Sequence, residues 1–129
     1  MSHPNEDLVR KGYAAFSAGD MDTLRKIIAP DAIWHTSGRS PLSGDFKGID
    51  EIIGNFGKSM ELSGMTLKVE VHDIVGNDTH VFAAHLSTAQ RDGKSLNDRQ
   101  VIVFHVSGGR VTEAWQISED VYASDEFWG

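Results

Sequence analysis

Apolar residues recur every three or four positions in the first half of the chain and every second position in the second half. Leu8, Val9, Gly12, Ala15 and Phe16 fall on one face of a helix. Leu24, Ile27 and Ile28 mark a second helix, with Asp20 placed to cap it and Pro30 to stop it. Residues 32–36, Ala-Ile-Trp-His-Thr, are β-branched and aromatic and read as a strand. Gly38, Pro41, Gly44 and Gly48 make the segment 37–48 a loop. A third helix follows, with Ile49, Ile52, Ile53, Phe56 and Met60 along one side and Gly64 as its stop.

From Leu67 the period becomes two, because Leu67, Val69 and Val71 alternate with Lys68, Glu70 and His72. Turns at Gly76-Asn77-Asp78, Arg91-Asp92-Gly93-Lys94 and Ser107-Gly108-Gly109-Arg110 separate strands predicted near 66–75, 79–91, 96–106 and 111–119. Helices first and a meander second predict an α+β fold, with three N-terminal helices packed in the concavity of a curved, mostly antiparallel sheet.

Length and composition narrow the chemistry. The 129 residues fit one domain over 1–129. Twelve basic against nineteen acidic side chains give a net charge of −7, and no cluster of Lys or Arg offers a surface for nucleic acid. The absence of cysteine excludes disulfides, thiol catalysis and cysteine-ligated metals. No apolar run approaches the roughly 20 residues of a membrane span, and the N-terminus is polar and acidic, so no membrane association and a cytoplasmic location are expected. Six histidines are the compositional hint of chemistry. His80 and His85 are five apart and face opposite ways on a strand, and no His-x-His or helical His-x-x-x-His occurs. Neither a metal nor a cofactor is expected.

The order of elements, together with particular residues, resembles the SnoaL-like and ketosteroid-isomerase-like branch of the nuclear transport factor 2-like superfamily. Those residues are 13–20 (Tyr-Ala-Ala-Phe-Ser-Ala-Gly-Asp), 30–35 (Pro-Asp-Ala-Ile-Trp-His), 40–44 (Ser-Pro-Leu-Ser-Gly), 108–115 (Gly-Gly-Arg-Val-Thr-Glu-Ala-Trp) and 125–128 (Asp-Glu-Phe-Trp). The resemblance implies a cystatin-like cone with one deep, mostly apolar pocket, and a homodimer through the outer sheet face. It also implies where isomerase machinery would fall. The base position is Thr36, the oxyanion tyrosine position is Gly12 with Tyr13 one step around the helix, and the buried acid lies near Ile102. None retains its function, so the steroid isomerase reaction does not carry over. An epoxide hydrolase-like site would need an Arg between two inward carboxylates, whereas Asp98 and Arg99 are strand neighbours that face opposite ways.

Alternation together with the family landmarks assigns the pocket face. His85 lies inward with Ala83, Ser87 and Ala89; Gln100 with Ile102 and Phe104; Gln116 with Ala114 and Ser118; Trp34 with Thr36. Phe56 from the third helix joins them. His85 is the candidate proton-transfer residue, with Gln100 and Gln116 polarising a carbonyl or enolate oxygen. The same residues also read as a hydrogen-bonded core histidine with its partners. His35 replaces Trp34 in the pocket if the register slips by one. Asp120 is either an acid–base group at the pocket mouth or a strand-end cap. Phe127 and Trp128 imply that the C-terminal segment docks as a lid or clasp. The expected partner is a small hydrophobic carbonyl or polyketide-like molecule. Isomerase, dehydratase or cyclase chemistry, a non-catalytic binding or dimerisation module, and an epoxide hydrolase-like enzyme are the functions this pattern admits.

Overall fold

A computed structural model describes residues 2–129. The elements are α1 (Pro4–Ala18), α2 (Met21–Ile27), β1 (Ile28–Thr36), β2 (Gly44–Lys47), α3 (Ile49–Leu62), β3 (Lys68–Gly76), β4 (His80–Arg91), β5 (Lys94–Ser107), β6 (Arg110–Ser118) and α4 (Val121–Trp128). Helix α1 begins on His3, whose Nδ1 accepts from the Asn5 N–H, and ends on Gly19 in the left-handed conformation. Asp20 caps α2 by accepting from the Thr23 N–H and hydroxyl. Pro30 does not stop that helix. It ends at Ile27, and β1 already runs through Pro30, where the β1–β6 register shifts.

The six strands form one sheet in the order β2-β1-β6-β5-β4-β3, parallel only between β1 and β6. Asp92 and Gly93, with φ of 51° and 76°, and Gly108 and Gly109, with φ of 59° and 77°, are the left-handed pairs that two-residue hairpins require. Bulges at Val71/Asp73 and His105/Val106 help the sheet bend. Its inner face carries Trp34, Val81, Ala83, Ile102, Phe104, Val111 and Ala114 into one core with Val9 and Ala15 of α1, Leu24 and Ile27 of α2, and Ile52 of α3. The α+β architecture and the curved sheet are as the periodicity predicts.

Two elements were not predicted. Segment 37–48 contains the short strand β2, which pairs with β1 from Ile33↔Lys47 to Thr36↔Gly44. The aromatic tail is a helix. Asp120 caps α4 by accepting from the Ala123 N–H, so it stands exposed at a helix start and not in the pocket. Phe127 and Trp128 are buried with Leu42, Ala89 and Leu96 in a second apolar cluster, their rings edge to face at 4.9 Å. Arg91 donates to the Phe127 and Gly129 carbonyls and Lys94 to that of Glu126, placing cations on the negative end of α4. At its other flank the Asp125 carboxylate accepts from the Arg39 N–H, with Gly38 so close that a Cβ there would collide with Asp125 Oδ1. Arg39 therefore helps seat α4 through its backbone.

Trp34 faces inward, and with it the register question closes: His35 points to the outer face and is not a pocket residue. Its Nδ1 meets Asp45 Oδ1 of β2 at 2.7 Å and its Nε2 meets Glu113 Oε2 of β6 at 2.6 Å, while the ring stacks on Trp115. The hydrogen bond that the ring donates to Glu113, then that to Asp45, raises the His35 pKa above its ordinary value of 6.5.

A raised folded-state value makes the His35 contribution full below pH 6.5 and lost as the pH climbs through the raised value. The melting-temperature gap between wild type and His35→Gln is therefore expected to be widest below pH 6.5 and to close at alkaline pH, as followed by circular dichroism. Trp128→Ala is expected to lower the unfolding free energy by about 3–5 kcal/mol in urea titrations, the usual result of emptying a large buried aromatic site. A loss below about 1 kcal/mol would show that α4 does not pack on the body.

Candidate functional site

Between the helices and the inner sheet face lies a cavity of about 140 Å³. Trp34, Phe56, Ile102 and Phe104 form its apolar wall, with Trp34 edge to face against Phe56 at 5.1 Å and Phe104 at 5.8 Å. Ser124 and Trp128 of α4 close part of it. Among the described residues, no Asp, Glu, Lys or Arg lines the cavity, while serines 37, 40, 43, 59, 87, 118 and 124 do. The polar side is therefore made of hydroxyls, amides and one imidazole.

Alternation along three adjacent strands brings the predicted polar residues together. Gln100 pairs with His85 across β4–β5, and Gln116 with Ile102 across β5–β6, so all three side chains converge on the inner face. His85 is 2% exposed. Its Nε2 lies 2.7 Å from Gln100 Oε1 and its Nδ1 lies 2.6 Å from the Tyr13 hydroxyl. Gln116 Nε2 donates to Gln100 Oε1 at 2.8 Å, and the indole N–H of Trp34 donates to Gln116 Oε1 at 3.0 Å. Gln100 Nε2 donates to Asp98 Oδ2 at 3.0 Å and to the Ser118 hydroxyl at 3.2 Å, and that hydroxyl donates to Asp98 at 2.9 Å. Thr36 also lines the cavity, and its buried hydroxyl has no hydrogen-bond partner.

Burial sets the protonation states. It lowers the His85 pKa, only partly opposed by the Gln100 hydrogen bond, so the ring is neutral at pH 7. It raises the Tyr13 hydroxyl. Burial likewise raises Asp98, while hydrogen bonds from Ser118, Gln100 and Ser124 pull it back down.

Predicted pocket residues Trp34, Thr36, Phe56, His85, Gln100, Ile102, Phe104 and Gln116 all line the cavity; His35 and Asp120 do not. Two residues of the network were missed. Tyr13 lies on the Val9 and Phe16 side of α1, at spacings of four and three, and that spacing was the available signal. Asp98 has the inward parity of Gln100 and Ile102 and is 5% exposed, yet it sits behind Gln100 and does not line the cavity. Arg99 points outward and no arginine reaches the cavity, so the carboxylate–arginine arrangement of an epoxide hydrolase is not formed among the described residues. No group of three or more His, Asp or Glu among the described residues is placed to hold a metal ion.

Comparisons with known proteins show the same fold. The structure of Bal32a, from a soil-derived mobile gene cassette, is similar at 41% identity and a TM-score of 0.94, covering 98% of this chain and 97% of that one. A Xanthomonas campestris protein of unknown function with a cystatin-like fold is similar at 30% identity and a TM-score of 0.89, over 95% and 96% of the two chains. An uncharacterised protein of Mycobacterium tuberculosis is 35% identical over 123 residues, 95% of this chain and 94% of its own length. IdmH of Streptomyces antibioticus, a candidate polyketide cyclase, shares the fold at 24% identity and a TM-score of 0.77, over 95% and 96% of the chains. The SnoaL-like domain model matches residues 9–114. By that match, which spans most of the sequence, the chain belongs to the SnoaL-like family.

Proposed function

We propose that this protein is a cofactor-independent enzyme that moves a proton on a small, neutral, hydrophobic carbonyl compound. The observation that carries the reading is the 2.6 Å contact between the Tyr13 hydroxyl and His85 Nδ1 in the wall of an uncharged cavity. A neutral imidazole is a base, and both of its nitrogens are engaged, so it acts on a ligand through Tyr13. A proton leaves the carbon next to the carbonyl for the Tyr13 oxygen as the tyrosine's own proton passes to Nδ1. The enolate and the imidazolium then form together with no net change in cavity charge. Gln116 Nε2 has one proton uncommitted after its bond to Gln100, and the Thr36 hydroxyl is free, so both are spare donors for the enolate oxygen. Returning the proton to a different carbon completes an isomerisation.

Cavity size narrows the substrate. About 140 Å³ is close to the roughly 150 Å³ that accepts a benzene molecule. One ring or a short chain fits without movement of the walls, and a fused polyketide does not. The absence of lining cations disfavours carboxylates and phosphates. A second reading, a non-catalytic binding protein, is favoured by one fact: His85, Gln100 and Gln116 already satisfy one another. The family's homodimer belongs to the proposal as well, seated on outward Phe82, Val101 and Ile117, which are 48%, 42% and 50% exposed. Val101→Glu is expected to convert dimer to monomer in sedimentation velocity, and an unchanged sedimentation coefficient would remove that face from the interface.

Proton abstraction is read directly as deuterium uptake next to the carbonyl of cyclohexanone in D₂O, followed by NMR. Wild type is expected to accelerate uptake, and Tyr13→Phe and His85→Ala to lose about 10²–10⁴-fold. The acid limb of the pH profile is expected to have its midpoint below 6.5, the ordinary histidine value, because burial depresses His85. Saturable binding of cyclohexanone without any uptake would decide for the binding protein.

A further inference from the structure

Asp98 is a buried carboxylate that no step above uses. It lies behind the cavity wall, on the far side of Gln100 from His85. A carboxylate only accepts hydrogen bonds, and an indole N–H only donates. These two groups stand at opposite ends of the amide pair Gln116–Gln100. Trp34 Nε1–H can face only the Gln116 oxygen, which turns the Gln116 NH₂ toward Gln100. Asp98 Oδ2 can face only the Gln100 NH₂, which turns the Gln100 oxygen toward Gln116 and His85. Both ends thus impose one polarity on the chain. Gln100 Oε1 has nothing to donate, so His85 Nε2 must carry the ring proton. In a neutral ring Nδ1 is then bare, and the Tyr13 hydroxyl donates to it.

We infer that Asp98 and Trp34 are positioning residues that fix the tautomer of His85 through an oriented relay of two amides. The relay keeps the basic nitrogen toward Tyr13 and leaves the tyrosine's lone pairs for the cavity. With the opposite polarity Nδ1 would carry the proton and point it at Tyr13, and the pair could not accept one. The inference deepens the proton-transfer reading, yet the tautomer exists whether or not any substrate turns over. Ser118 serves both states, because a hydroxyl donates or accepts, so it follows the polarity and does not choose it.

The test is the ¹⁵N spectrum of histidine-labelled protein at neutral pH, in which protonated and bare ring nitrogens have separate shifts. Wild type is expected to show His85, identified by its loss in His85→Ala, as a single tautomer with Nε2 protonated. A wild-type ring protonated on Nδ1 would overturn the inference without any variant. Asp98→Asn supplies a donor where only an acceptor stood, and Trp34→Phe removes the opposing donor. Each single variant leaves one anchor, and the double variant leaves none. The preference for Nε2–H is expected to fall by about tenfold or more in the double variant, seen as averaged or doubled ring shifts, since hydrogen bonds to a charged group are the stronger kind. A folded double variant, judged by its backbone amide spectrum, that keeps the wild-type ring shifts would overturn the inference. Failure of the cyclohexanone assay with wild-type tautomer behaviour intact would strike only the proposed function.

Discussion

Gln100 is the side chain on which the interior depends. Its single amide touches His85, Gln116, Asp98 and Ser118, from both neighbouring strands and its own. A polar group left unpaired in such a place costs about 1–3 kcal/mol, so a cluster of this kind is either complete or a liability. Completeness here is possible only because β4, β5 and β6 are adjacent and in a register that lifts residues 85, 100 and 116 to the same side. The apolar core beside the cluster lowers the local dielectric and strengthens each bond within it.

The strands that carry this cluster were legible because a half-buried strand writes its burial into alternate residues. Parity groups His85, Gln100 and Gln116 with their strand neighbours and sets Arg99 opposite Gln100, and the family landmarks say which of the two faces is inward. The short β2 was hidden because it opens on Gly44, is followed at once by Gly48, and finds its pairing partner in β1, which local pattern cannot reveal. Helix α4 was hidden for a similar reason. The side chains that hold its C-terminal carbonyls come from the distant hairpin residues Arg91 and Lys94, and its eight residues carry little propensity signal of their own. Tyr13 escaped because the family landmark drew attention to Gly12, although the spacing from Val9 and to Phe16 pointed correctly. Asp98 escaped because a carboxylate is seldom buried, and only a three-dimensional contact with Gln100 and Ser118 explains why this one is.

The charge of −7 and the cavity are separate matters. Among the described residues, no Asp, Glu, Lys or Arg lines the cavity wall, and Asp98 lies behind it. The histidines divide in the same way. His85 is held neutral by burial, whereas His35 is held toward its charged form between Asp45 and Glu113, so one sheet carries two imidazoles of opposite electrostatic character on its two faces.

The parallel pairing of β1 with β6 has a consequence for synthesis. Trp34 is paired with Ala114, and between them the chain must make α3 and three long strands. While the ribosome delivers those residues, β1 has only the four-residue β2 beside it, and its inner aromatic face waits for a floor. Contacts this far apart in sequence are slow to form, and an unpaired strand edge is where nascent chains meet one another. The pairing that joins β1 to the rest of the sheet therefore becomes available only after β6 has been made, and conditions that slow synthesis of the intervening residues would favour association of unfinished chains over folding.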